Sequence, residues 1–318
     1  MTPLVSIIVP AKNAAGTLGS LLDDLAGMTL ERAEILVVDD GSTDETAAMA
    51  RARADALPIR VIDGPAVGPA AARNVGGRAA EAPWLAFIDA DVRLPEDWLE
   101  RGLAAATDDV DVVEGVVQRR GGDTDGLVRH WALTDGDGVF VTANLWVRRS
   151  SFDKVGGFDE GYPAPWREDT DFGWRLVAQG ARTTTASDLV VFHPYYRRPV
   201  KSLLHHGSKI VADARLRSKF PEQARQLQPR REMRRGYICT TLLALTAVAA
   251  LARAPRVTAG LALATEAAAS AAVLPMAASR GRTRPREWAE LILLAPAICV
   301  SRVYWVVRSN VSYRIRFW

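Results

Sequence analysis

The sequence predicts an α/β protein, a doubly wound sheet followed by a mostly apolar helical region. Three observations carry that prediction. Short apolar runs alternate with helical patterns along the front of the chain, as in a sheet wound on both faces. Several of those runs stop abruptly at acidic residues; residues 84–88, Trp-Leu-Ala-Phe-Ile, end at Asp89 and Asp91. Charge then changes sign: residues 1–198 carry 20 Lys/Arg against 31 Asp/Glu, and residues 199–318 carry 20 against 6.

A length of 318 residues leaves room for two domains, or for one large domain with an appendage. Hydrophobic content of 48% and charged content of 24% exclude a disordered or collagen-like chain. An acidic front half does not suit nucleic acid, whereas a basic, apolar rear half suits an anionic membrane surface. Cys239 and Cys299 both lie in apolar segments and suggest neither a disulfide framework nor a zinc site. The N-terminus runs straight into a strand pattern, so the front half is expected in the cytosol.

Residues 4–9 form a β-branched apolar run ended by Pro10, the first expected strand. Thr17 is placed to cap a helix carrying Leu18, Leu21, Leu22 and Leu25 at helical spacing. Residues 34–38 form a second strand, followed by Asp39-Asp40-Gly41-Ser42-Thr43-Asp44-Glu45-Thr46, where Ser42 and Glu45 fit a capping box. A third strand, 59–62, leads to a small-residue helix from Gly68 to Gly76 that must lie close to a neighbour. The fourth strand is the run ending at Asp89.

Further on, residues 139–147 read as a strand and Gly156-Gly157 as a turn needing unusual backbone angles. Residues 168–179 read as a helix with Phe172, Leu176 and Val177 on one face, and Glu168 and Asp169 fall in its first turn. Acids there could simply complement the helix dipole.

The pair Asp89 and Asp91 admits two readings. Carboxylates this close repel unless a positive charge lies beside them, and a hard divalent cation gripping a phosphate meets that need. Alternatively Asp91 merely caps the helix that follows Pro95. Neither G-x-G-x-x-G nor G-x-x-x-x-G-K-[ST] follows the first strand, which disfavours a dinucleotide dehydrogenase and a P-loop NTPase. Acids at strand ends suit a ribose, a base or a metal-bound diphosphate instead.

In order and spacing, Ser6-Ile7-Ile8-Val9-Pro10, Val37-Val38-Asp39-Asp40-Gly41-Ser42-Thr43-Asp44, Ala72-Arg73-Asn74 and Asp89-Ala90-Asp91 resemble family 2 glycosyltransferases. So do Thr142-Ala143-Asn144, Val155-Gly156-Gly157-Phe158-Asp159-Glu160 and Glu168-Asp169-Thr170-Asp171-Phe172-Gly173-Trp174-Arg175-Leu176. The likeness covers roughly residues 4–195 and implies a GT-A type mixed sheet with inverting transfer from a nucleotide-diphosphate sugar, most often a UDP sugar.

It further implies roles. Asp169 is the general base, with Glu168 contacting the acceptor or orienting the base. Pro10 and Ala11 line the donor pocket, Asp40 accepts from the base N–H, and Arg73 stands near the base or diphosphate. The other reading of Arg73 is a salt bridge to Asp39 or Asp40. Asp91, helped by Asp89, holds Mg²⁺ or Mn²⁺, with His193 as a third ligand or a structural histidine. Asp89 and Ala90 adjoin the donor, and Asp89 could take the ribose hydroxyls instead. Thr142, Ala143, Asn144 and Trp166 line the acceptor side. The chain departs from processive polysaccharide synthases in lacking Gln-x-x-Arg-Trp, so transfer of one sugar to a discrete acceptor is expected.

The expected organisation is a catalytic domain over 1–198, a basic amphipathic connector over 199–235 and membrane-associated helices over 236–318. Residues 199–220 form the connector's helix, and Arg225, Arg230, Arg231, Arg234 and Arg235 follow it. Apolar stretches 236–252, 257–279 and 288–307 come next, broken by Arg253-Ala254-Pro255-Arg256 and by the run from Arg280 to Arg286. A hairpin of the first two with arginines on the cytosolic side satisfies the positive-inside tendency. The third stretch then lies in the interface with Trp288, Trp305 and Trp318. Three spans would put Arg308, Arg314 and Arg316 outside, and a soluble helical bundle around Glu266 is the remaining possibility. A lipid-linked acceptor follows from the membrane reading, with a soluble acceptor as the alternative. Competing functions are a sugar-phosphate nucleotidyltransferase, whose glycine-rich loop is missing after the first strand, and a non-catalytic nucleotide-sugar-binding scaffold.

Overall fold

The computed structural model describes residues 2–122, 138–162, 165–195, 199–205, 207–224, 230–273 and 285–313. The chain divides into two compact units, Met1–Gly121 with Ala132–Pro194, and Gly122–Trp131 with Tyr195–Trp318.

The first unit is a mixed seven-stranded sheet with helices. Its front runs β1 (Val5–Ala11), α1 (Leu18–Ala26), β2 (Ala33–Asp39), α2 (Thr46–Arg51), β3 (Ile59–Asp63), α3 (Pro69–Ala79) and β4 (Trp84–Phe87). Then come α4 (Trp98–Ala105), β5 (Val112–Gly122), β6 (Leu145–Arg148), α5 (Arg149–Val155), α6 (Glu168–Ala178) and β7 (Thr183–Tyr195). Strand order is β3-β2-β1-β4-β6-β5-β7. β1 pairs in parallel with β2 and β4, and β2 with β3. β6 pairs antiparallel with β4 and with β5. The chain leaves β1 towards β2 on one side and returns to β4 on the other, so a topological switch point lies between β1 and β4. Ligands bind open α/β sheets outside the strand carboxyl ends at such a point.

Alternation along β1 divides the core. Val5, Ile7 and Val9 join the layer containing Leu18, Leu21, Leu22 and Leu25 of α1, whereas Ile8 joins the layer built on Phe87, Phe152, Phe158 and Phe172. The α1 leucines are fully buried, as their helical spacing predicts. α3 seats closely because it is small: a Cβ on Gly76 would stand 2.6 Å from Ile8 Cγ2, and one on Gly77 2.5 Å from Phe152. That seat fixes Arg73, one turn earlier. Phe158 stacks on Phe172 with centroids 4.0 Å apart and meets Phe87 edge-on at 5.1 Å. Phe172 thereby anchors α6 one turn beyond Glu168.

Several local expectations change. β4 ends at Phe87, so Asp89 and Asp91 sit in the turn beyond the strand. The capping box does not form: α2 starts at Thr46, Ser42 Oγ accepts from the Asn13 N–H at 2.9 Å, and the Thr46 N–H donates to Asp44 Oδ1 at 3.1 Å. The Ser42 N–H, which the box would give to Glu45, donates to Asp39 Oδ1 instead. Thr17 occupies the N-cap position of α1 without a side-chain cap, because its hydroxyl donates to the Ala14 carbonyl. The strand expected over 139–147 begins only at Leu145; a 3₁₀ turn, Thr142–Asn144, precedes it. Val177 is exposed, so the buried face of α6 is Phe172 with Leu176. Gly156 and Gly157 both have φ of 75°, as a turn of that kind needs.

In the second unit a 3₁₀ segment (Val200–His205) and α7 (Gly207–Lys219) replace the single helix expected over 199–220. Helices α8 (Arg230–Leu251), α9 (Pro255–Val273) and α10 (Pro285–Tyr313) follow. Leu203, Cys239, Ala269, Leu291, Ile298 and Cys299 form their core, and Thr246 Oγ1 meets Thr265 Oγ1 at 3.2 Å across α8 and α9. The first two stretches do form helices that meet, α8 of 22 residues and α9 of 19. Among the described residues α10 is the one helix long and apolar enough to cross a membrane, with mean hydropathy 1.7 and 28% of its apolar stretch buried. The apolar part of α8, Ile238–Leu251, is shorter. Arg225, Arg280, Arg282, Arg284, Arg314, Arg316 and Trp318 lie outside the described residues.

Candidate active site

The site starts from Arg73. It is buried at 5% exposure, facing the sheet from α3. Nη2 donates to Asp89 Oδ1 at 2.9 Å and Nη1 donates to Glu168 Oε1 at 3.2 Å. One guanidinium thus joins the turn after β4 to the first turn of α6, with Arg73 and Glu168 95 residues apart in sequence. The alternative of a pair with Asp39 or Asp40 is replaced: Asp39 Oδ1 accepts from the Ser42 N–H, and Asp40 Oδ2 accepts from the Gly68 N–H at 2.8 Å.

Burial works against the charge on Arg73, but Asp89, Glu168 and Asp169 outweigh it and raise its pKa. Burial also dominates at Glu168; with the adjacent Asp169 it pushes the Glu168 pKa up to about 7 despite Arg73. Asp169 rises for the same reason, opposed by the Thr170 N–H and then by Arg73 and Arg167. Asp169 Oδ1 accepts from that N–H at 2.7 Å. Glu168 Oε2 is buried with no hydrogen-bond partner in the structure. Arg167 takes φ of 74° as the N-cap of α6, and its guanidinium lies 4.8 Å over the Trp166 ring.

A second cluster adjoins the first through Asp89. One ligand atom each from Asp89, Asp91 and His193 lies within 4.8 Å of the others. His193 Nε2 stands 3.4 Å from Asp91 Oδ1. His193 Nδ1 lies 2.9 Å from the Pro194 carbonyl. A carbonyl only accepts, so Nδ1 carries a proton, and Nε2 is the nitrogen turned towards Asp91. Two carboxylates and an imidazole with its far nitrogen anchored are a donor set that fits a divalent cation. The antiparallel bridge between Arg93 and Phe192 brings β7 against this turn.

Around the switch point, Pro10 and Ala11 end β1, and the Ala11 carbonyl accepts from the Asp40 N–H at 2.8 Å. Asp40 is buried and its Oδ1 has no hydrogen-bond partner in the structure. Ala90 is buried in the turn beyond β4.

Three of the four expected acceptor residues are buried. Asn144 is fully buried; Nδ2 donates to the Val116 and Leu189 carbonyls, and Oδ1 accepts from Trp98 Nε1 at 3.1 Å. Its amide is saturated inside the sheet, and Ala143 is equally buried. Thr142 is buried too, whereas Trp166 is half-buried near the start of α6. Asn74 was quoted in the sequence only as part of a motif. Buried, it accepts from the Phe158 N–H and donates to the Phe158 carbonyl and Glu160, which holds the glycine turn in place. Its place next to Arg73 in a small-residue helix was the available signal.

Comparison with known proteins agrees with this geometry. The profile of glycosyl transferase family 2 matches residues 6–159. Glycosyltransferase AglE of Haloferax volcanii is 33% identical over 224 residues, 64% of this chain and 70% of that protein. A validoxylamine A glucosyltransferase of Streptomyces hygroscopicus subsp. jinggangensis is 31% identical over 228 residues, covering 58% of this chain; the aligned part is 54% of that relative's length, so the chain spans about half of it. Among solved structures, the mannosyltransferase PcManGT of Pyrobaculum calidifontis, in complex with GDP-Man and Mn²⁺, superposes with a TM-score of 0.57 at 20% identity, over 96% of this chain and 88% of that one. Such a likeness shows a shared GT-A type fold. By sequence, fold and the order of its motifs, the chain belongs to glycosyltransferase family 2.

Proposed function

We propose that the protein moves one sugar, with inversion, from a nucleotide-diphosphate sugar to a hydroxyl or phosphate of a discrete acceptor. The observation that carries this reading is Arg73 held between Asp89 and Glu168. That guanidinium keeps a cation-type acid cluster and a base-type acid pair one side chain apart. Asp89, Asp91 and His193 would hold Mg²⁺ or Mn²⁺; the ion would neutralise the departing diphosphate as a Lewis acid. PcManGT, which shares the fold, is described with Mn²⁺ and a nucleotide sugar.

Asp169 takes the proton of the acceptor. Burial raises its pKa towards working pH, which makes its carboxylate a stronger base while it is still ionised. Glu168, gripped by Arg73, orients it. Asp40 Oδ1, buried and unpartnered, accepts one N–H from the nucleobase. With Oδ2 already taken by Gly68, one open acceptor suits a single ring N–H such as the imide of uracil, which fits a UDP sugar. Pro10, Ala11 and Ala90 supply backbone around the donor. Trp166 is the acceptor-side residue retained from the sequence reading.

The second unit attaches the protein to a membrane, with the catalytic unit cytoplasmic. Support comes from α10, from exposed Leu251, Leu263, Leu293 and Val311, and from the basic composition of the rear. A lipid-linked acceptor follows from that location. The test is a thermal-shift panel of nucleotide sugars with Mn²⁺, followed by transfer assays of the donor that stabilises. No stabilisation by any nucleotide sugar sinks the donor reading. Partition of the detergent-free protein into the soluble fraction sinks the membrane reading.

A further inference from the structure

Resting on the cation reading of Asp89, Asp91 and His193, we infer that Asp24 and Arg93 are positioning residues for that site, setting its affinity for a divalent cation without touching the ion.

The two halves of the ligand set come from distant segments. Asp89 and Asp91 lie in the turn after β4, and His193 lies near the end of β7. Among the described residues one isolated bridge ties that turn to β7. The Arg93 N–H donates to the Phe192 carbonyl at 2.8 Å, and the Phe192 N–H donates to the Arg93 carbonyl at 2.9 Å. Phe192 is the residue before His193, and Arg93 is two residues after Asp91. Any slip of this bridge separates the imidazole from the carboxylate.

The turn itself is held from the other side by α1. Arg93 Nε donates to Asp24 Oδ2 and Nη2 donates to Asp24 Oδ1, both at 2.6 Å, a bidentate fork. The Leu94 N–H donates to Asp24 Oδ2 at 3.0 Å. Asp24 therefore fixes two consecutive residues of the turn with one carboxylate. Its side chain is 12% exposed, on a helix whose four leucines are buried, so the anchor is rigid. The chain of support runs from the α1 core through Asp24 to Arg93, then across the bridge to Phe192 and His193. Neighbouring Asp23, 63% exposed, makes a single ion pair with Arg53 at 2.6 Å, which supplies a control for losing a carboxylate from α1 without loosening the turn.

The experiment titrates full-length protein with Mn²⁺ in the absence of nucleotide, reading free ion by electron paramagnetic resonance. The variants are Asp24→Ala, Asp24→Asn, Asp23→Ala and Asp91→Asn. Loss of an outer support weakens metal affinity about tenfold or more, so Asp24→Ala should raise the Mn²⁺ Kd about tenfold. Asp24→Asn should lie between it and the parent, and Asp23→Ala should leave Kd within about twofold of the parent. Thermal unfolding of the ion-free variants checks that each is folded at the titration temperature; if Asp24→Ala does not fold, Asp24→Asn decides. Parent-like Kd in the folded Asp24 variants overturns the inference while leaving the cation site intact. Absence of saturable Mn²⁺ binding by the parent, or parent-like binding by Asp91→Asn, instead overturns the cation site on which it rests.

Discussion

Two acid pairs meet at Arg73, and they are built on opposite principles. Asp89 and Asp91 lie in a turn, partly open to solvent, with a histidine beside them. Glu168 and Asp169 open a helix docked by Phe172, and burial raises the pKa of both. Arg73 carries one positive charge against the three carboxylates that act on it. The first pair can be relieved by a cation drawn from solution, because its oxygens converge with an imidazole. The second pair has no such third ligand among the described residues and is relieved by Arg73 and by holding a proton. On the proposed reading, exposure suits the first pair to an ion and burial suits the second to a proton.

The largest effect that would test this contrast is loss of the proton site. Asp169→Asn should lower kcat by about 10²–10⁴-fold, the usual contribution of a general base, while Mn²⁺ affinity stays at the parent value. Full transfer activity in this variant would remove the base assignment. Next comes the shared guanidinium. Arg73→Ala leaves Glu168 buried without its partner and should cost about 3 kcal/mol in denaturant unfolding, the low end for a broken buried pair, because Glu168 can escape by protonation. An unchanged unfolding midpoint would show that the two pairs do not share Arg73 energetically.

A smaller effect separates the ion site. Asp91→Asn should weaken Mn²⁺ binding by calorimetry at least tenfold, with the pH profile of stability unaltered. The smallest effect is the pH profile itself. Glu168 titrates at about 7 in the folded chain against its ordinary 4.5, so the native state binds more protons than the unfolded state between those values. Stability from this group is therefore fully present below pH 4.5 and is lost as pH rises through 7. Glu168→Gln should flatten that decline in urea titrations of the ion-free protein. A decline equally steep in the variant would assign it elsewhere.

Much of this was legible in the chain. Apolar runs ending in Asp39 and in Asp89 read as buried strands because each residue's environment along a strand is set locally, by alternation and length. The leucines of α1 and the close seat of α3 followed from spacing and side-chain size. Less local features misled. Ser42 with Glu45 looked like a capping box, yet Ser42 Oγ accepts from the Asn13 N–H and the Ser42 N–H donates to Asp39 Oδ1. Thr142 to Asn144 were expected on the acceptor side, yet the Asn144 amide satisfies two carbonyls and an indole in the interior. Hydrogen-bond partners far apart in sequence leave no periodic trace.

By itself the sequence determined which residues could do chemistry: five acids, an arginine and a histidine at the ends of predictable elements. It also determined the change from an acidic front to a basic, apolar rear, because composition is local by nature. Only the tertiary structure decided the partnerships. Asp89 with Glu168 through Arg73, and Asp91 with His193 across the bridge at Phe192, join segments about a hundred residues apart. Those pairings depend on how the turn after β4, α6 and β7 pack around one sheet. Burial, which separates a proton site from an ion site, exists only after that packing.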